Sequence, residues 1–172
     1  MKRSSELTLL DSEPGAFAFY AWENTTLIVW AAQATGAALE RLAVISATMV
    51  ESCPEGVSNI HIVAHGAPLP TPEARAGFVR LMEQYEAQLA CVAVVLEGSG
   101  FWAATLRSVI TGMRMVSPRT FPMRFHESIE EVPIWLPQEH LKLTGVRLEP
   151  ARLSGVLQSA RDFIDAKRKL AR

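Results

Sequence analysis

Eight consecutive apolar residues, Leu89 to Leu96 (LACVAVVL), constrain this chain more than any other feature. The run is short for a helix, rich in valine, and too apolar for a strand with one wet face. It reads as a central strand covered on both sides, in a parallel or mixed sheet with helices packed on it. The residues downstream extend that reading. Glu97-Gly98-Ser99-Gly100 is a turn, Trp102 to Val116 has helical periodicity, and Phe121 to Phe125 is a strand that begins after Pro118. Ser128 and Glu131 form a capping box that opens a short helix, which Pro137 is expected to end. This order is the closing half of an α/β domain.

Upstream, Ala16 to Trp22 (AFAFYAW) and Thr26 to Ala32 (TLIVWAA) are aromatic and β-branched runs separated by Glu23-Asn24-Thr25, a β-hairpin pattern. Gly36 to Ser52 is an amphipathic helix capped by Thr35, and Ser58 to His65 is a strand. Thr71-Pro72-Glu73 starts a helix that runs to about Gln88, with Phe78, Leu81, Met82 and Tyr85 along its buried side. A last amphipathic helix covers about Glu149 to Leu170, with Leu153, Val156, Leu157, Ala160, Ile164 and Ala171 on its apolar stripe. The expected fold is a single α/β domain over residues 16–137, a mixed sheet of about five strands with helices on it. Residues 1–15 are a polar lead-in, and 138–172 are an appended basic helix.

At 172 residues, with 49% apolar and 20% charged residues, the chain has room for one substantial core. Its net charge of −1 makes no case for nucleic acid, and no apolar run reaches the length of a membrane span. The start, MKRSSELTLLDSEPGAF, lacks the apolar stretch of a secretory signal. Cys53 and Cys91 have no metal-ligand spacing and suit reduced thiols in a cytoplasmic protein. From Leu141 onward eight basic residues face three acidic ones, leaving nine basic and fifteen acidic residues in the rest. Such a tail either folds back on the acidic body or meets an acidic partner.

The element order, with Val92 to Val95, Trp102, Met123-Arg124-Phe125 and Ile134-Trp135-Leu136, resembles the STAS superfamily, specifically the SpoIIAA-like relatives of anti-sigma factor antagonists. The resemblance spans about residues 16–137. It implies a non-enzymatic regulatory or interaction module. The expectation is action through a protein partner or a homodimer, with no cofactor and, from the residue spacing, no metal. The phosphorylated antagonists carry an Asp-Ser-Ser-Gly-type motif before their second helix. Here the segment His65 to Pro72 lacks it, leaving Thr71 as the candidate phosphorylation site, against its plainer role as a helix cap.

The candidate chemistry is thin. Glu97-Gly98-Ser99-Gly100 could offer amides to an anion at a helix start, but it matches neither the phosphate-binding nor the nucleophile-elbow patterns and otherwise serves as a tight turn. Glu97 stands at the carboxyl end of a strand, where ligands of open α/β sheets bind. His61 and His65, four apart on a strand, are ~13 Å apart at 3.3 Å per residue, too far to share a metal. Phe19, Trp22 and Trp30 lie on the hairpin, where alternation cannot send every large ring to one face. Part of that set is expected to be exposed as an interaction surface. The expected function is therefore a protein-interaction module. The alternative is a small-molecule or lipid-binding module in which the hairpin lines an apolar cleft.

Overall fold

The computed structural model describes residues 5–98, 100–116 and 121–170, with the backbone alone at 116, 163–164 and 167–170. Six strands form one mixed sheet in sequential order: β1 (Thr8–Glu13), β2 (Phe17–Trp22), β3 (Thr25–Trp30), β4 (Val57–Val63), β5 (Leu89–Leu96) and β6 (Met123–His126). The first three are antiparallel neighbours, and β3 to β6 run parallel. The β2–β3 connection is a tight hairpin in which Glu23 takes a φ of 50°, the positive sign that such a turn needs to follow strand twist. Asn24, fully buried, ties the turn to the start of β4 by donating from Nδ2 to the Gly56 carbonyl, 3.2 Å away.

Parallel neighbours need crossovers, and right-handed crossovers that step repeatedly in one direction put all their helices on one face. Helices α1 (Gly36–Ser52), α2 (Pro72–Gln84) and α3 (Phe101–Val116) therefore share what is here termed the crossover face. Their apolar side chains meet Phe17, Phe19, Ile28 and Trp30 toward one edge, and Val92, Val94 and Leu96 toward the other. After β6 the chain passes through a 3-10 turn (Ile129–Glu131) and returns as α4 (Val132–Thr144) and α5 (Pro150–Leu170). These two cover the opposite, return face, where Trp22, Leu27, Ile60, Ala93 and Val95 pack with Leu136, Leu148, Leu153 and Leu157. The result is a three-layer α/β/α domain, of the expected class.

Strand ends shift by up to two residues, so that His65 falls beyond the end of β4, and four larger details differ from the sequence reading. The lead-in contains a sixth strand, β1, half-exposed at the sheet edge, where Arg41 of α1 holds Asp11 and Glu13. Acidic residues on an edge strand hide its pattern while protecting its free backbone. Helix α2 ends at Gln84, short of Gln88. At the 3-10 turn Ser128 makes no side-chain cap bond, so the capping box does not form. Finally, α4 continues through Pro137 to Gly145, which closes it at φ 73°, so residues 137 and 138 lie within one helix. An internal proline forfeits a backbone hydrogen bond. Burial of Leu136, Pro137 and His140 beneath this helix supplies the compensation.

Candidate functional site

The three crossover helices cover the sheet without filling the space above it. A Cβ at Gly77 would stand 3.1 Å from the Leu39 Cβ of α1, so glycine lets α1 and α2 close tightly there. Further along α2, Phe78, Leu81, Met82 and Tyr85 are only half-buried, and all four line a cavity of about 120 Å³ between helices and sheet. Thr26 and Trp30 of β3, Asn59, His61 and Val63 of β4, and Val92 and Val94 of β5 form its floor. Met49, Met82, Met113 and Met123 also line it. Methionine is unbranched and polarizable, so such walls adapt to an occupant. No Asp, Glu, Lys or Arg is among the lining residues.

The floor follows from the period of two in β4. Ser58, Ile60 and Ile62 face the return layer, which leaves Val57, Asn59, His61 and Val63 on the cavity side. His61 lies between Ile28 and Val94 on its neighbouring strands and meets the Phe78 ring edge-on at 5.7 Å. His61 is half-buried, and the surface it retains faces the cavity it lines. Burial pushes its pKa down to about 4, so the ring is neutral near pH 7. The Trp30 indole N–H donates to His61 Nδ1 at 3.3 Å. That assignment puts the imidazole proton on Nε2, for which no described residue supplies an acceptor.

The residues singled out from sequence fall elsewhere or take other roles. Phe19 and Trp22 are 0% and 1% exposed and Trp30 is 4%, so the hairpin presents no aromatic surface to solvent. The reason is that both faces of the sheet are covered. Phe19 and Trp30 pack under α1, while Trp22 packs on the return face, its indole donating to the Ser5 carbonyl at 3.2 Å. Only Trp30 of the three lines the cavity. Thr71 is the N-cap of α2, its hydroxyl accepting from the Ala74 amide at 3.1 Å.

Glu97 points to the return layer, where its Oε1 lies 2.5 Å from Arg161 Nε of α5, an ion-pair distance without hydrogen-bond alignment. Burial raises the Glu97 pKa and the Arg161 charge opposes the rise. Gly98 (φ 127°) and Gly100 (φ 80°) adopt backbone that side chains resist, and a Cβ at Gly98 would collide with the His65 ring. Ser99 lies outside the described residues. The Trp102 indole N–H donates to the Ala67 carbonyl at 2.9 Å and its ring meets His65 at 5.3 Å, tying this turn to the loop before α2.

A second polar group, absent from the sequence reading, is buried under α4. Ser58 Oγ lies 2.7 Å from His140 Nδ1 and 3.1 Å from Cys91 Sγ. Burial lowers the His140 pKa to about 4 and raises the Cys91 thiol to about 11, which keeps both neutral near pH 7. All three residues are fully enclosed, so no substrate reaches the serine. Cys53 and Cys91 are both free and buried. Among the described residues no three His, Cys, Asp or Glu side chains assemble to hold a metal ion, and no helix is long and apolar enough to cross a membrane.

A polar pair at alternate positions inside an apolar, doubly covered strand, Asn59 and His61 in VSNIHIV, is the one signal by which sequence could have pointed to the cavity. No family model matches the chain, and no curated protein matches it.

Proposed function

We propose that this chain is a non-catalytic, cytoplasmic binding module that holds a small apolar molecule between its sheet and the crossover helices. One observation carries the proposal: an uncharged cavity walled by methionine and aromatic side chains, with a lone titratable ring on its floor. Ligand sites are concave and mostly apolar, with a few polar groups that set orientation. Ser58, the serine that pairs with His140, is sealed beneath α4, which favours a binding role for the molecule. Native mass spectrometry of protein purified from its source host tests this, paired with Val63→Phe, which fills the cavity from β4. The expected result is a bound small mass in the natural chain and its loss in the variant. A bare chain, with a melting temperature unmoved by apolar probes, would overturn the proposal. Saturation at a hundred times Kd should stabilise the fold by about 2.7 kcal/mol.

A second reading is a partner-binding module of the STAS, SpoIIAA-like type, acting with another protein or as a homodimer. Its support is the strand and helix order, together with Phe101, 87% exposed at the start of α3. An isolated exposed ring is weak ground for an interface. Sedimentation of the natural chain and of Phe101→Ser separates the two: a concentration-dependent dimer lost in the variant favours the second reading.

A further inference from the structure

Resting on the ligand-binding proposal, we infer that the occupant of the cavity is an uncharged, ring-sized apolar molecule with one hydrogen-bond acceptor, a carbonyl or ether oxygen, to which His61 Nε2–H donates. Three features carry this inference, and they concern size, charge and hydrogen bonding in turn.

A cavity of about 120 Å³ is close to the ~150 Å³ known to admit benzene, so a single ring fits it with the methionine walls as they stand. Charge is excluded next. The lining has no arginine or lysine to pair with an anion and no carboxylate to pair with a cation, and an unpaired ion in such a place keeps its full desolvation cost. His61 does not serve as the cation, because desolvation against the surrounding side chains lowers its pKa to about 4. The acceptor requirement comes from Trp30. Its indole occupies Nδ1, which fixes the tautomer and leaves Nε2 as a donor without a described partner. A ligand that is a pure hydrocarbon leaves that donor unsatisfied, and one bringing only a donor meets another donor. Thr26, Ser46, Asn59, Tyr85 and Gln88 also line the cavity and add polar groups without adding formal charge.

The experiment uses three probes of nearly one shape: cumene, acetophenone and benzoate. Each is titrated into the natural chain at pH 7 by calorimetry, and the imidazole of His61 is followed by 15N NMR. Acetophenone is expected to bind about three- to tenfold tighter than cumene, the net value of one buried hydrogen bond. Benzoate is expected to bind at least about a hundredfold more weakly than acetophenone. The Nε2–H resonance should shift with acetophenone and not with cumene. In His61→Phe the preference for the ketone over the hydrocarbon should vanish while cumene still binds. The NMR arm needs no variant, so a His61→Phe chain that fails to fold does not protect the inference.

The outcomes are separable. Equal binding of cumene and acetophenone with a silent Nε2–H overturns the acceptor requirement and leaves a binding cavity. Benzoate as the tightest probe overturns the exclusion of charge. Failure of all three probes to bind overturns the ligand-binding proposal and this inference with it.

Discussion

His61, half-buried, and His140, fully buried, are held in similar ways: each is neutral near pH 7, and each is paired through Nδ1, with Trp30 or with Ser58. They sit on opposite faces of the sheet, His61 on a cavity and His140 sealed beneath α4. Both folded-state pKa values are lowered to about 4 from an unfolded value near 6.5. Between those values the unfolded chain binds protons that the folded chain refuses, so stability rises with pH across the window. As pH falls from about 6.5 toward 4, the unfolding free energy should drop by up to about 1.4 kcal/mol per pH unit for each ring and level off below. Urea denaturation at pH 7.5, 6 and 5 checks this. The double variant His61→Phe with His140→Gln should show a flatter profile, and an unchanged slope would remove both rings from the linkage. Neither environment is legible from the sequence, because a histidine in an apolar strand and one in a helix announce nothing about what packs over them.

Helix α5 reads from its composition as a basic appendage, yet its apolar stripe is part of the core. Leu153, Leu157 and Ala160 are 0% exposed and pack in one cluster with Trp22, Leu27 and Val29 of the central strands. Arg152, Ser154, Gln158 and Ser159 meet water on its outer side, while period 3.6 keeps one stripe dry. Leu157→Ala should therefore cost about 2–5 kcal/mol, measured by chemical denaturation. Gln158→Ala, one position along on the exposed side, should stay within about 0.5 kcal/mol. Equal effects would mean that the stripe is misplaced. Of the apolar stripe expected from periodicity, the Ile164 side chain and Ala171 lie outside what the structure describes. The edge strand β1 shows the opposite difficulty: it is a true element whose polar residues conceal it, since only one of its sides has a neighbour.

Across the molecule, the two helical layers have unequal tasks. The return layer buries Leu136, Leu148, Leu153 and Leu157 completely, whereas the crossover layer keeps the cavity beneath α2. A chain cut after Gly145 loses α5 and uncovers Trp22, Tyr20 and Leu27 together, a larger apolar patch than soluble monomers tolerate. It should lose near-ultraviolet circular dichroism and bind anilinonaphthalene sulfonate while retaining helical signal, the signature of a core without fixed packing. Retention of cooperative unfolding would show that α5 is dispensable.

The class of fold was already present in the chain's pattern: a doubly covered strand at Leu89–Leu96, strands alternating with helices, and glycine, proline and threonine at the turns and caps. Those features act locally, through periodicity and backbone geometry, so a linear reading reaches them. The candidate site is of another kind. It arises where Gly77 draws α2 against α1 while the bulkier residues beyond it, Phe78, Leu81 and Met82, leave space over Asn59, His61 and Val94. A void is a property of what fails to meet across space, between residues as far apart in sequence as Thr26 and Met123. Packing of the assembled layers creates it, which is why the hairpin aromatics, expected at a surface, lie buried in the sheet and only Trp30 reaches the cavity.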